Sequence, residues 1–415
     1  MPPRKRARSS APVTEVSTLW TNGGGYHVSS IAPDGSGNMF VSSMTCIHKI
    51  SDGVETVVAG GDVAGHLDGP QGMFSGIVGL AVGADGCLIV SDRYCIRKVA
   101  VDGQVSSLAG DPAGDHADDP GADHVDGQGA EARFEFPGKV AVDLDGNVLV
   151  ADYWNDCIRK VAPDGAVSTL AGSTERQGDG YADGPADEAR FQGPQGVAVD
   201  LEGNVFIADT GNNCIRKISR DGAVSTLAGS TEGEGGHTDG AGDAARFFSP
   251  MALAVDIDGN IVVADTDSNC IRKVTPEGVV STLAGPTSLT SPTGNVDGPA
   301  NQARFFSPGD VAIDMDGNVL VADYHNNSVR MITHTGLSRG AALPRWPVVK
   351  PALAANLLAL LDDERFADVS FGAQALRALH ALTLRNRRAC GTYTIRAPLL
   401  APLARSLTRP LADAL

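Results

Sequence analysis

An all-β fold, a ring of six four-stranded sheets, is predicted for this chain of 415 residues, and three observations predict it. The stretch from Gly196 to Gly229, GVAVDLEGNVFIADTGNNCIRKISRDGAVSTLAG, reads as four short runs of β-branched residues. They are separated by the turns Glu202-Gly203-Asn204, Gly211-Asn212-Asn213 and Arg220-Asp221-Gly222, the residue types that hairpins require. The first of these turns recurs at Asp34-Gly35, Asp85-Gly86, Asp145-Gly146, Glu202-Gly203, Asp258-Gly259 and Asp316-Gly317, at intervals of 51, 60, 57, 56 and 58 residues. Finally, the strands close a count. A fourth strand of the Ser-Thr-Leu-Ala-Gly type follows five of the six units, near residues 55–60, 105–110, 167–172, 224–229 and 280–285. The sixth unit, 310–333, stops after its third strand, and the chain opens on an orphan fourth strand, Glu15-Val16-Ser17-Thr18-Leu19. The expected architecture is a six-bladed β-propeller closed by the N-terminal strand, because closure removes the sheet edges that an open stack leaves.

Composition sets the surroundings of that ring. Fifty glycines fall at regular places, so turns explain them better than disorder. Arg4, Lys5, Arg6 and Arg8 make residues 1–12 a basic disordered tail or a nuclear-localisation signal. The propeller is expected over 13–335, a Pro-containing linker over 336–351, and a small, mainly helical segment over 352–415. Between residues 9 and 333 there are 18 basic and 45 acidic groups, a net of −27. Such a body repels nucleic acid, which is bound by clustered Lys and Arg. No apolar run reaches the roughly 18 residues of a membrane span, and the N-terminus lacks a signal-peptide core. Five of seven cysteines, Cys46, Cys95, Cys157, Cys214 and Cys270, share one repeat position. Successive units hold them too far apart for disulfides, so reduced thiols and an intracellular, cytoplasmic or nuclear, setting are expected. Their spacing is not that of a zinc site, and no metal or cofactor is expected.

Each element then follows in turn. First strands of the Gly196-Val197-Ala198-Val199 kind carry small residues that fit a crowded axis, and they read as nearly identical from blade to blade. Second and third strands carry an Asp/Arg couple in five blades: Asp92 and Arg97, Asp152 and Arg159, Asp209 and Arg216, Asp265 and Arg272, Asp323 and Arg330. In the first unit Ser43 and His48 replace both members together, which marks a structural pair, since a buried charge needs its partner. The turns at Asp143–Asn147, Asp256–Asn260 and Asp314–Asn318 resemble calcium loops only superficially, because they lack the twelve-residue ligand spacing. Four crossovers contain Asp-Gly-x₄-Ala-Arg-Phe, beginning at Asp126, Asp183, Asp239 and Asp297. A short helical turn, a phenylalanine wedge between blades and an arginine paired with a local acid are expected there. The crossovers into units one and two are shorter, which implies a notch in that face. Recognition is expected at the variable loop tips, Met44, Arg93, Tyr94, Tyr153, Trp154, Asp267, Tyr324 and His325, since aromatics and Arg anchor interfaces on rigid scaffolds. His66, His116, His124 and His237 read as solvated loop residues at unrelated positions.

The pattern G-V-A-V-D-x-x-G-N-V-x-x-A-D-x-x-N-x-x-I-R-K-I, clear at 139–161, 196–218, 252–274 and 310–332, resembles the NHL repeat. That resemblance implies a propeller that binds other macromolecules, while more distant propeller relatives are calcium- or zinc-dependent lyases or lactonases. Leu360-Leu361-Asp362-Asp363-Glu364-Arg365-Phe366-Ala367-Asp368-Val369-Ser370-Phe371 is similar to the opening of a BTB domain, with His380 and Leu384 matching its first helix. Only some forty-four residues follow Phe371, so the segment is read as a truncated BTB start. The resemblance implies self-association or recruitment of a cullin-type ubiquitin ligase. The function expected is a non-catalytic scaffold that binds a protein or peptide at the loop face and acts as a ubiquitin-ligase adaptor through its tail. The alternative is a metal-dependent propeller lyase or lactonase, which needs blade-specific His, Asp or Glu converging on the axis.

Overall fold

The computed structural model describes residues 14–23, 26–70, 72–112, 124–173, 179–289, 292–333 and 335–338. The basic tail, most of the linker and the BTB-like segment lie outside these residues. Six antiparallel sheets follow one another along the chain. Blade 4 is the most regular, with Pro194–Val199 innermost, then Val205–Asp209, Cys214–Ile218 and Ala223–Gly229. Its second strand is buried at every position, because neighbouring blades cover both faces of the sheet. The innermost strands pack each on the next, and Pro308–Ile313 of blade 6 packs on Ser30–Pro33 of blade 1. Glu15–Thr21 pairs antiparallel with Ser328–Thr333. The described residues therefore form an all-β six-bladed propeller. Among the described residues no helix is long and apolar enough to cross a membrane.

Local chemistry explains the turns. In the inner hairpin of blade 3, Asp143 Oδ1 accepts the backbone N–H groups of Asp145 (2.9 Å) and Asn147 (2.8 Å), and Asp143 Oδ2 accepts the Asn147 side-chain amide at 2.7 Å. Asp200, Asp256 and Asp314 repeat this, so the carboxylates shape hairpins. Crossover phenylalanines fill the space between blades: Phe247 packs with Ala208 and Ile215 of blade 4 and Leu253 of blade 5. Two crossover arginines meet a local acid, Arg246 with Glu234 at 3.5 Å and Arg133 with Asp111 at 3.9 Å. Arg190 and Arg246 also donate to nearby backbone carbonyls, because the carboxylate of the preceding Asp-Gly is already taken.

That carboxylate belongs to a buried staple. In blade 4, Arg216 Nη1 donates to Asp209 Oδ2 (2.8 Å) and to Arg190 O (3.0 Å). Arg216 Nη2 donates to Asp183 Oδ1 (2.6 Å) and to Ala182 O (2.7 Å). Asp183 Oδ2 in turn accepts the Thr226 backbone N–H at 3.0 Å, and Asp209 Oδ1 accepts that of Gln192 at 2.8 Å. One guanidinium thus joins the second, third and fourth strands to the incoming crossover. The same set recurs with Arg97, Arg159, Arg272 and Arg330, all fully buried. Each guanidinium also lies over a crossover ring, Arg159 over Phe134 at 5.0 Å for example. Burial pushes Asp209 and Asp265 up to about 6, against the pull of their arginines. Every neighbour of Asp209 is a donor, so the pocket holds the carboxylate at neutral pH. Asp126 and Asp239 are exposed, and against a partial desolvation that raises them a backbone N–H and an arginine hold them below their ordinary values.

Removing one partner of a buried pair strands the other charge. Arg216→Met is expected to cost about 3–5 kcal/mol in chemical denaturation, and Arg216→Lys nearly as much, because an ammonium cannot reproduce the planar fork. His48→Ala, at the same register position of blade 1, should cost less than about 1 kcal/mol. Equal losses at the two positions would show that the staple does not hold the blade.

Candidate protein-interaction face

The loop between second and third strands is built alike in blades 3 to 6. Its first exposed residue donates a backbone N–H to the residue two before the innermost strand: Trp154 to Glu135 O (3.2 Å), Asp267 to Phe248 O (3.1 Å), His325 to Phe306 O (3.2 Å). The loop tips and crossover ends therefore share one face. Their side chains are free to vary, because backbone groups do the holding.

On that face the structure brings most of the sequence-predicted tips into two clusters. In the first, the Arg93 guanidinium lies 5.1 Å from the Tyr94 ring and 5.8 Å from the Phe136 ring. Phe136 meets Tyr94 edge-on at 5.4 Å and Trp154 at 5.6 Å, and Trp154 meets Tyr153 at 6.3 Å. In the second, His27 stacks on Tyr324 at 4.4 Å, and His325 lies 4.6 Å from Phe306 and 5.0 Å from Tyr324. His27 Nδ1 is fixed by Tyr324 O and Asn327 Oδ1. Met44, 58% exposed, sits on blade 1 between the blades that carry the two clusters, and its carbonyl accepts the Ile77 N–H. Asp267 stands apart on blade 5 with no aromatic tip beside it in its own loop, Thr266-Asp267-Ser268. Blade 4 offers Thr210-Gly211-Asn212. Exposed aromatics therefore stand before blade 5 (Phe248, 40%), on blade 6, before blade 1 and on blade 3, with Trp154 the most exposed at 59%.

Phe136 was not among the residues the sequence pointed to. It occupies φ +50°, and the equivalent positions before the innermost prolines hold Gly193 (+53°), Ser249 (+51°) and Ser307 (+50°). A bulky residue in the left-handed region is an outlier that costs on the order of 1–3 kcal/mol and needs a reason. The signal was legible as Phe-Glu-Phe-Pro at 134–137 against Phe-Gln-Gly-Pro and Phe-Phe-Ser-Pro elsewhere.

The axis also departs from expectation. The innermost strands are not interchangeable, because the position of Gly196 is taken by Ser30, Gly79, Lys139, Ala252 and Asp310 in the other blades. Lys139 reaches from blade 3 toward blade 6. Its Nζ lies 3.2 Å from Asp310 Oδ2 and donates to Ser29 O (2.7 Å) and Val78 O (2.9 Å). Asp310 Oδ2 also accepts Ser30 Oγ and the Ile31 N–H. Complete burial pulls the Lys139 ammonium below its ordinary value, with Asp310 opposing. Beyond this pair, the axial cavity of about 160 Å³ is lined mainly by alanines, valines and leucines.

The crossover histidines are likewise not at unrelated positions. His66, His124 and His237 each stand two residues before Asp-Gly, where blade 4 has Tyr181. His116 lies outside the described residues. His124 Nε2 bonds Thr169 Oγ1 at 2.7 Å, and Tyr181 OH bonds Thr226 Oγ1. Burial lowers His124 to about 4. His66 with Asp92 and Cys95, and His237 with Asp265 and Cys270, bring possible metal donors within 4.8 Å of one another. Their chemistry does not favour a cation. Asp92 and Asp265 are bonded to Arg97 and Arg272, and burial and the adjacent Asp push the Cys270 thiol well above its ordinary value.

Taken together, ring and repeat define a six-bladed propeller whose repeats are similar to NHL repeats. Residues 169–237 match the family model of the Teneurin NHL domain. The chain is 25% identical to Danio rerio Teneurin-3 over 350 residues, covering 64% of this chain and 12% of that protein. It is 37% identical to Homo sapiens NHL repeat-containing protein 2 over 107 residues, covering 24% of this chain and 14% of that protein. This chain thus spans only a small part of the curated relatives it matches. An auxiliary nutrient binding protein from Bacteroides thetaiotaomicron shares the fold, with a TM-score of 0.58 at 13% identity, covering 77% of this chain and 76% of that one.

The axial pair generates a double-mutant cycle. Lys139→Met alone is expected to cost about 3–5 kcal/mol by stranding Asp310, and Lys139→Met with Asp310→Leu should recover most of that loss in chemical denaturation. Additive losses would mean that the two charges do not depend on each other.

Proposed function

We propose that this chain is a non-catalytic scaffold whose loop face recognises a protein or peptide. The NHL propeller is a common protein-interaction fold. The observation that carries the reading here is the set of exposed aromatic and Arg side chains on the loop face, which includes Phe136 in a strained backbone. Large apolar side chains held open to solvent at a backbone cost are explained by a partner that covers them. An enzyme of the lyase or lactonase kind calls for donors converging on the axis. The blade-specific groups there are a Lys, an Asp and a Ser already bonded to one another. The net of −27 over residues 9–333 argues against a nucleic-acid partner, and the free cysteines agree with a cytoplasmic or nuclear setting. In this reading the N-terminal strand closes the ring, and the BTB-like tail links the bound partner to a cullin or a second copy.

The test is capture of a partner by the immobilised full chain, followed by affinity measurements on variants. Trp154→Ala should weaken binding about 30-fold, as anchors at interface centres do. Phe136→Gly should weaken it similarly while leaving stability within about 1 kcal/mol, because glycine relieves the left-handed strain. Arg220→Ala, in an exposed hairpin at the other end of the blade, should change nothing. Binding that survives both aromatic substitutions and fails with Arg220→Ala would overturn the assignment, and absence of a cullin from the captured material would remove the adaptor role.

Ring closure has its own measurement. Deleting residues 12–20 is expected to lower the Tm by several degrees or to yield oligomers that share the open blade. A monomer with unchanged Tm would rule out closure by this strand.

A further inference from the structure

Blade 1 is the one whose outer edge is left bare among the described residues. In blades 3 to 6 the incoming crossover lays a two-residue strand along the outermost strand, as Gly127–Gln128 does on Ala166–Gly172. In blade 2 a single bridge, Gly69 to Val105, does the same. The crossover carboxylate then takes the next outward amide: Asp68 accepts from Ser107, Asp126 from Thr169, Asp183 from Thr226, Asp239 from Thr282 and Asp297 from Thr18. Among the described residues, blade 1 lacks all of these parts. Val57 faces His48 in the register that Thr169 shares with Arg159, and no described strand pairs with the far side of Val54–Gly60.

Register fixes what this edge offers. Because the Thr169 amide points away from its own sheet to Asp126, the Val57 amide also points outward, and so does that of Glu55 two residues earlier. The side chains are exposed as well, with Val54 and Val57 each at 62%. Natural edges of this kind are normally blunted by charge, proline or a covering loop. The charge nearby is negative. Glu55 lies on the strand, and exposed Asp52 and Asp62 flank it. Lys49 of the neighbouring strand is drawn over the Phe40 ring at 5.8 Å.

We propose that the outer edge of blade 1 receives an extended basic segment of a partner protein, which adds as a fifth strand. Backbone pairing to Glu55 and Val57 supplies the attachment, cationic side chains on the face of Glu55 suit its carboxylate and those of Asp52 and Asp62, and β-branched side chains on the opposite face suit Val54. This surface is separate from the aromatic loop face, so either site can fail without the other.

The probe is a synthetic ten-residue peptide of alternating lysine and valine, tested on the full chain by fluorescence anisotropy and amide hydrogen exchange. It should bind at least about tenfold tighter than a glutamate–valine counterpart and should slow exchange at Glu55 and Val57. A lysine–valine peptide N-methylated at alternate residues should not bind. Val57→Pro removes an outward N–H without touching the ladder to Cys46–Ser51, and should abolish binding. Val57→Lys keeps the N–H and adds repulsion, and should weaken it. Three results would overturn the proposal: equal binding by both variants, protection of these amides in the free monomer by the chain's own residues, or protection that rises with protein concentration without peptide, which would make a second copy the occupant.

Discussion

The buried guanidinium between two carboxylates is the interaction on which the rest of this structure depends. A four-stranded blade has a core on each face, but its strands reach the loop face with unsatisfied backbone groups, and the crossover must be held there. Arg216 satisfies both needs. It donates to two crossover carbonyls and two aspartates, and those aspartates cap the Gln192 and Thr226 amides. Burying an arginine is costly unless its donors are used: both Nη groups are bonded in every staple, Nε of Arg216 and Arg330 also donates to the crossover aspartate, and Nε of Arg97, Arg159 and Arg272 has no partner. The recurrence of nearly the same bonds in five blades shows that the cost is met by a fixed geometry. What the staple adds over an apolar plug is register, because a one-residue slip would unpair every member at once.

Much of this was legible in the sequence because repetition supplies its own controls. Six turns of one type gave the blades. The Asp/Arg couple was visible because His48 and Ser43 vary together. Other relations were not legible because spacing along the chain hides them. The Asp of Asp-Gly, the Arg of Ile-Arg-Lys and the Thr of Ser-Thr-Leu each recur plainly, yet Asp183 and Thr226 are 43 residues apart and only the folded sheet joins them. The histidines were readable once aligned on Asp-Gly rather than on the strands. Lys139 and Asp310 stood at the first position of the repeat pattern, where glycine is the norm, and departure from a small residue at an axis was the overlooked signal. Phe136 was readable only by aligning the crossovers on their prolines, where Gly193, Ser249 and Ser307 mark the left-handed position that it occupies.

The irregularities are not spread evenly round the ring. Blades 4 and 5 have complete staples, covered outer edges and small or polar loop tips. Blade 1 has no staple and a bare edge. Blades 2 and 3 carry the first aromatic cluster, and blades 6 and 1 the second. The axial pair joins blade 3 to blade 6 and reaches Ser29 and Ser30 of blade 1. A buried ion pair is weak evidence for stability but a strong constraint on arrangement. Lys139 ties together the innermost strands of those blades that have lost regularity elsewhere.

This distribution has a physical logic. A closed ring stabilises each blade through two neighbours, so a blade that gives up its own staple remains held by the apolar faces on either side. Blade 1 can therefore lose Asp, Arg and Thr together, and it does: Ile47, Ala59 and Phe74 still pack between blades 1 and 2. The freedom so gained falls at an outer edge with outward amides. The stapled blades set the geometry, and blade 1, released from that duty, departs from it.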